Sequence, residues 1–314
     1  MSIDTWEGSW ATIDWQKESD EIIKKKISYF YRAGVDFNMN RYGDTPLHKA
    51  AEYCSGNIIK LLISGGADAT KKAWYDKTAL HYAISENNIS AAKVLCKLTP
   101  SIINEKDSDN RTAIYYATEK ANKEAIDLLL CFGASVDETY KGGSTLLHEL
   151  PYGEANMSTY SQITKRLIDH GIDVNAKDSY GQTALYNAIY KKNLDMVKVL
   201  IENKSDLNVR DKDDITPLMY TTARGYDAIA KILIEHGADP FVKNKDGKTA
   251  WSVAENNKCE EVVLGAKKIR DNYLKKTQPI VKIAANCQQL ATVATNCMAQ
   301  KKFFWSKLFD RQNG

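Results

Sequence analysis

The sequence predicts an all-α fold: one elongated stack of short helical repeats joined by hairpin-like turns, followed by a helical tail. Three observations carry that class. A Thr-x-Leu-x tetrad recurs from Thr45, Thr78, Thr112, Thr145, Thr183, Thr216 and Thr249, at steps of 33, 34, 33, 38, 33 and 33 residues, with Ile114 and Trp251 replacing the leucine in two copies. A fixed period in that range belongs to stacked units rather than to one closed core. Glycine returns at two phases of the period: Gly43, Gly143, Gly181 and Gly247 two residues before the threonine, and Gly66, Gly133, Gly171 and Gly237 at the far end of the unit. The composition is that of an ordinary folded chain, 43% apolar and 26% charged over 314 residues. That length would hold two ordinary domains, but the period makes it one array. We divide it into a degenerate N-terminal cap (1–39), an array with its closing helix (40–276) and a basic amphipathic tail (277–314).

The cap comes first. Glu21 to Tyr31, followed by Ala33-Gly34-Val35-Asp36, predicts an outer helix and its stop, and Ile13 takes the threonine position of a degenerate inner helix. Trp6, Trp10 and Trp15 are expected to cover the end of the stack. In the first full unit, Asn40 to Gly43 signals a turn and Thr45 caps an inner helix whose first residue, Pro46, lacks an N–H the helix would not use. Leu47, Ala50 and Ala51 give that helix a small apolar face. A second helix opening near Asn57 buries Ile58, Ile59, Leu61, Leu62 and Ile63, and Gly65-Gly66 ends it. Asp76, Asn110 and Asp214 replace the turn glycine in other copies, the residue types that best tolerate left-handed backbone. The second outer helix is expected to stop at Pro100, and the fifth unit has Lys204-Ser205 where the stop glycine belongs. The fourth unit carries five extra residues around Pro151 to Asn156, between its two helices. Glu260 to Lys276 predicts a charged closing helix, as the end of a solenoid requires.

The units resemble ankyrin repeats. The resemblance rests on the opening Gly43-Asp44-Thr45-Pro46-Leu47-His48-Lys49-Ala50, its echoes in the other copies, and the close Gly237-Ala238-Asp239, and it runs over roughly residues 18 to 275. It implies antiparallel helix pairs in an L-shaped stack, with the turns projecting as fingers beside a concave face of inner helices. It also implies a protein that binds another protein through finger tips and groove, without cofactor.

Other function classes find little support. His48, His81 and His148 all stand three after the repeat threonine, a slot that holds Tyr115, Tyr186, Met219 and Ser252 elsewhere, so the position is structural. His170 and His236 precede helix-ending glycines, where a cation suits the helix dipole. No phosphate-binding loop, nucleophile elbow or His-Glu-x-x-His pattern occurs, and no catalytic or metal site is expected. Six scattered cysteines, with no Cys-x-x-Cys pair, fit a reducing compartment, and we expect a cytoplasmic protein. No apolar run opens the chain, and polar residues interrupt the least polar stretch, 280 to 299. Residues 267–314 hold ten Lys or Arg against two acids, a charge of +8, and the rest of the chain is at −5. The body is therefore a poor nucleic-acid binder.

The aromatic surface is the main candidate site. Tyr42, Trp74, Tyr75 and Tyr180 fall at expected finger tips. Tyr82, Tyr116 and Tyr220 stand four after the threonine, and Tyr53 and Tyr190 seven or eight after, which the resemblance places on the concave face. Tyr and Trp dominate interface hot spots. In the tail, an apolar seam from Ile280 to Phe304 at steps of three and four ends in Lys301, Lys302, Phe303, Phe304, Trp305 and Lys307, a mix expected to dock on the last repeat with a solvated basic end, to pair with another chain or to lie at a membrane surface. Asn175 and Asn208 resemble asparagine-hydroxylation sites of ankyrin repeats. Lysine far exceeds arginine, and Asn and Ile are plentiful, the usage of an AT-rich genome, consistent with an effector acting in a host cell. The expected function is a non-catalytic adaptor, scaffold or inhibitor; the alternative is an interaction protein docked on anionic lipid through its tail.

Overall fold

The computed structural model describes residues 12–39, 43–150 and 157–257, with 264, 265, 267 and 268 beyond them. Tyr42, the insertion 151–156 and the tail lie outside the described residues. The described residues form fourteen α-helices and no β-strand: α1 (Asp20–Arg32), α2 (Pro46–Tyr53), α3 (Gly56–Ser64), α4 (Ala79–Ser85), α5 (Ile89–Leu98), α6 (Ala113–Glu119), α7 (Lys123–Cys131), α8 (Leu146–Glu149), α9 (Met157–Asp169), α10 (Ala184–Tyr190), α11 (Leu194–Glu202), α12 (Pro217–Arg224), α13 (Asp227–Glu235) and α14 (Ala250–Asn257). The even-numbered helices pack in sequence as an inner layer and the odd-numbered ones as an outer layer.

The inner helices approach closely because the position five after the threonine is small and buried in six of the seven copies, Ala50, Ala83, Ala117, Ala188, Thr221 and Ala254, with Leu150 buried there in the fourth. The outer helices supply bulk through Ile58, Ile59, Leu62, Leu95, Ile126, Leu129, Leu200 and Leu233, all buried. Burying a side chain of that size contributes about 1.5–3 kcal/mol, and most of that area is covered by the neighbouring repeat. Leu61 and Ile63, also expected in this stripe, are only partly buried.

Helices α2, α4, α6, α8, α10 and α12 each begin on a buried threonine in extended conformation. The histidine three residues on does two jobs. Its Nδ1 accepts the threonine backbone N–H at 3.3, 3.1 and 3.1 Å for His48, His81 and His148, with the threonine hydroxyl 2.8–2.9 Å from the same nitrogen. Because the backbone N–H can only donate, Nδ1 is bare and the proton sits on Nε2. That Nε2–H donates to the carbonyl just before the next threonine: Lys77 at 3.2 Å, Arg111 at 3.2 Å and Gln182 at 3.1 Å. One ring thus caps a helix and staples two repeats. Burial lowers the pKa of all three, that of His81 to about 4. Tyr186, in the same slot, reaches the equivalent carbonyl of Ile215 at 2.5 Å with its hydroxyl. Ser252 keeps only the cap, exchanging hydrogen bonds with Thr249. The outer helices α5, α7 and α11 are capped by Asn88, Asn122 and Asn193.

A second staple runs along the loops. Asn38, Asn104, Asn175 and Asn208 accept, through Oδ1, the backbone N–H of Asp68, Ser135, Asp206 and Asp239, one repeat further on. In the remaining loops Thr70, Asp137 and Phe241 hold that place.

Several expectations meet the structure directly. Helix α5 stops at Leu98, ahead of Pro100. Lys204 takes φ 64°, so a lysine adopts the left-handed stop that glycine supplies elsewhere. The degenerate inner helix of the cap does not form over residues 13–19. Lys17 and Glu18 close a single turn on the Asp14 carbonyl, reinforced by the Asp14 carboxylate, which accepts the Lys17 N–H at 3.1 Å. Ile13 is buried and Trp15 packs on the core; Trp6 and Trp10 lie outside the described residues. Helix α8 has four residues because Pro151 follows Leu150 and bars the helical conformation there. Of the expected closing helix only 264, 265, 267 and 268 are described, all helical.

Candidate partner-binding surface

The fingers share one closure, a backbone N–H five before the threonine donating to the carbonyl just before it. It spans Ala73–Lys77, Asp107–Arg111, Tyr140–Ser144, Asp178–Gln182, Asp211–Ile215 and Asn244–Lys248, at 2.8–3.1 Å. Four of these fingers add a side chain to the turn. Oδ1 of Asp107, Asp178, Asp211 and Asn244 accepts two further backbone N–H groups, two and four residues on. Such a turn needs one left-handed residue, at Asn110, Gly181, Asp214 or Gly247.

Fingers two and four begin with Ala73 and Tyr140, which offer no such acceptor. Both then wind through two consecutive left-handed residues. In finger four these are Gly142 and Gly143, at φ 77° and 72°, and glycine takes that geometry without cost. In finger two they are Tyr75 and Asp76, at φ 58° and 55°. A tyrosine held there costs about 1–2 kcal/mol. Tyr75 is 72% exposed and its neighbour Trp74 57% exposed. Trp74 is nonetheless seated: a Cβ at Gly43, the tip of finger one, would stand 2.5 Å from its Nε1. The Tyr75 carbonyl accepts the Ser108 N–H of finger three at 2.9 Å. The result is a rigid, strained, outward-facing aromatic pair bridging three fingers.

The remaining aromatic candidates divide. Tyr180 is exposed at the tip of finger five, its carbonyl bound by Lys212 N–H. Tyr53 and Tyr190 are exposed beside the inner helices, Tyr53 donating to Glu52 at 2.7 Å. Tyr82 is half-buried and donates to Asp44 at 2.7 Å, with its ring edge-on to His48. Tyr116 is buried: it donates to Asp107 at 2.5 Å and lies under the Lys77 ammonium, 4.4 Å from the ring centre. It braces its own finger and offers little to a partner. Tyr220 is half-buried, and Tyr42 and Lys301 to Lys307 lie outside the described residues. Asn175 and Asn208 spend their side-chain oxygens on the loop staple.

Sequence spacing missed two features. Phe241 is 40% exposed and packs on Trp251 with ring centres 5.9 Å apart. Between α10 and α12 a cleft of about 360 Å³ is lined by Gln182, Tyr186, Asn187, Tyr190, Lys191 and Tyr220. The Tyr220-to-Arg224 spacing of one helical turn was its readable signal. No group of three or more His, Cys, Asp or Glu is placed to hold a metal among the described residues, and no helix there is long and apolar enough to cross a membrane. Burial pushes the Cys54 thiol up to about 12 and Cys96 up to about 11, so neither is a ready nucleophile.

Comparison with known proteins agrees with this geometry. A family model for ankyrin repeats in three copies matches residues 16–102, 71–140 and 203–268, and one for many copies matches 167–220. The human transient receptor potential cation channel subfamily A member 1 is 26% identical over 181 residues, which are 56% of this chain and 16% of the channel. A palmitoyltransferase of Lachancea kluyveri is 30% identical over half of this chain and 21% of its own length. A fowlpox virus protein named for its ankyrin repeats is 26% identical over 49% of this chain and 34% of its own length. This chain therefore spans well under half of these curated relatives. A channel, a transferase and a viral protein share little by name, so the likeness follows the repeats and not any one activity. The threonine-capped helix pairs, the histidine and asparagine staples and the matched segments have one explanation: the chain belongs to the ankyrin repeat family, whose arrays generally bind other proteins and are generally non-catalytic.

Proposed function

We propose that this protein is a non-catalytic adaptor, scaffold or inhibitor that grips a partner protein through the Trp74–Tyr75 finger, with Tyr53, Tyr180 and Tyr190 as further contacts. One observation supports it most: finger two keeps a tyrosine in a backbone conformation that finger four gives to glycine, and presents it to solvent beside a seated tryptophan. Strain kept at an exposed position is a mark of function. Large rings fixed before binding lose little entropy on contact, which suits them as anchors. We place the protein in a cytoplasm, a host's if it is an effector. A second reading rests on charge: the +8 of residues 267–314 against −5 elsewhere suits peripheral contact with anionic lipid through the tail.

The test uses tagged full-length protein to capture its partner from native or candidate host lysate. Trp74→Ala with Tyr75→Ala should weaken binding of that partner by about 2–4 kcal/mol, roughly 30- to 1000-fold, with the helical signal intact. Unchanged affinity would move the site off this finger. Co-sedimentation of the full chain with anionic vesicles tests the second reading; no binding even at low salt removes it.

A further inference from the structure

We propose that the array is built as two cooperative blocks that meet at a joint between the third and fourth repeats, where one block opens while the other stays folded. Three kinds of hydrogen bond tie a repeat to the next. A histidine or tyrosine of the inner helix reaches the carbonyl before the next threonine, a loop asparagine holds the next loop, and a finger's carbonyl takes an N–H from the next finger. The second and third repeats make all three: His81 to Arg111 at 3.2 Å, Asn104 to Ser135 at 2.9 Å, and Tyr75 to Ser108 at 2.9 Å. So do the fourth and fifth, with His148 to Gln182 at 3.1 Å, Asn175 to Asp206 at 2.7 Å and Gly142 to Ser179 at 2.6 Å. The fifth and sixth repeat the set through Tyr186 to Ile215, Asn208 to Asp239 and Tyr180 to Lys212. The first and second keep the histidine tie, His48 to Lys77 at 3.2 Å.

Among the described residues, none of the three ties crosses from the third repeat to the fourth. Tyr115 fills the histidine slot, but its hydroxyl goes to the Glu149 carboxylate. Asp137 fills the asparagine place and cannot do that work. Asn104 and Asn175 each act twice: Oδ1 accepts the next loop's N–H, and Nδ2 donates to the carbonyl of Gly133 or Lys204 at 3.3 Å. A carboxylate has no N–H to donate, and the next loop brings its own acid, Asp173. No N–H of finger four binds a carbonyl of finger three. Side chains alone cross here: Tyr140 to Thr112 at 3.2 Å, the Tyr115 and Tyr140 rings 4.6 Å apart, Lys106 to Glu138 at 2.5 Å and Arg166 to Asp127 at 2.8 Å. Both ion pairs are partly exposed, so salt weakens them. The sixth and seventh repeats also lack the ties, with Met219 and Phe241 in the two slots, but a weak link at the end of a stack frays one repeat and does not divide it. In a stack stabilised by nearest neighbours, a weak interface inside the array lets its two sides open separately. The joint also divides the proposed surface, with the Trp74–Tyr75 finger on the first block and Tyr180 and Tyr190 on the second, so a partner touching both holds the joint shut.

Hydrogen exchange read by mass spectrometry, on the full-length protein in sub-denaturing urea, tests this without a partner. Peptides from α4 to α7 should share one dependence on urea and those from α10 to α13 another, with the step at finger four. Asp137→Asn supplies the missing donor and a neutral acceptor. Two restored hydrogen bonds should raise protection of the weaker block roughly tenfold and narrow the step. Asp109→Asn removes the same charge from finger three, where no tie is at stake, and should leave the step as it is. One common urea dependence along the wild-type array overturns the proposal, as does a step inside either block. A step that Asp137→Asn leaves unchanged, or that Asp109→Asn narrows equally, overturns it too. None of these outcomes bears on whether the Trp74–Tyr75 finger binds a partner.

Discussion

Fingers two and four have the same backbone and opposite chemistry. Each lacks the aspartate that organises its neighbours, and each compensates with two left-handed residues. Finger four uses Gly142-Gly143 and presents Lys141; finger two uses Tyr75-Asp76 and presents two large rings. The fold therefore accepts glycine at this turn, so finger two's tyrosine is not a requirement of the architecture. The difference separates what the stack needs from what the surface offers.

The two fingers are also tied back differently, and pH should expose it. Finger two's last carbonyl, on Lys77, receives His48 Nε2, whereas Tyr115, the equivalent side chain behind finger four, donates to Glu149 at 2.9 Å instead. Histidine staples need a bare Nδ1. With folded pKa values lowered by burial, the unfolded chain takes up protons below about 6.5 while the folded rings stay neutral, His81 until about 4. Stability is full above pH 6.5 and falls as pH drops through that window, by about 3 kcal/mol for His81 alone. Urea melts from pH 7.5 to 4.5 should follow that fall, and hydrogen exchange should loosen finger two before finger four. Equal loosening would mean that the histidines do not hold the fingers.

The seat of Trp74 gives the next largest effect. Gly43→Ala adds a methyl 2.5 Å from the indole nitrogen at φ 92°, whereas Gly66→Ala, at φ 99°, meets nothing within 4 Å. Both should pay the backbone strain of about 1–2 kcal/mol. Only Gly43→Ala should also shift the Trp74 environment and weaken partner binding. If the two variants behave alike, Trp74 is not anchored on finger one.

Much of this was legible before the structure. The threonine period gave the stack, and the glycine, asparagine and aspartate phases marked left-handed positions that Asn110, Asp76 and Asp214 do occupy. What stayed hidden depends on partners one period away. Tyr82, Tyr116 and Tyr220 share one phase, yet Tyr116 is buried because Asp107 of its own finger takes its hydroxyl. The loop asparagines look like repeat signature until the neighbouring N–H they accept is seen. The cap's inner helix failed because residues 13–19 carry no threonine cap or alanine face, and Asp14 closes a turn instead.

The most direct measurement exchanges the two fingers' chemistry. Tyr75→Gly relieves a left-handed tyrosine, and Gly142→Tyr imposes one. The first should stabilise the protein by up to about 1 kcal/mol, with glycine's greater freedom in the unfolded chain offsetting part of the gain, and should cost partner affinity. The second should destabilise by about 1–2 kcal/mol and leave affinity unchanged. Denaturant melts and partner binding on both variants read all four outcomes. If Tyr75→Gly destabilises the protein, or leaves partner affinity intact, finger two's tyrosine serves the fold and the account of this surface is wrong.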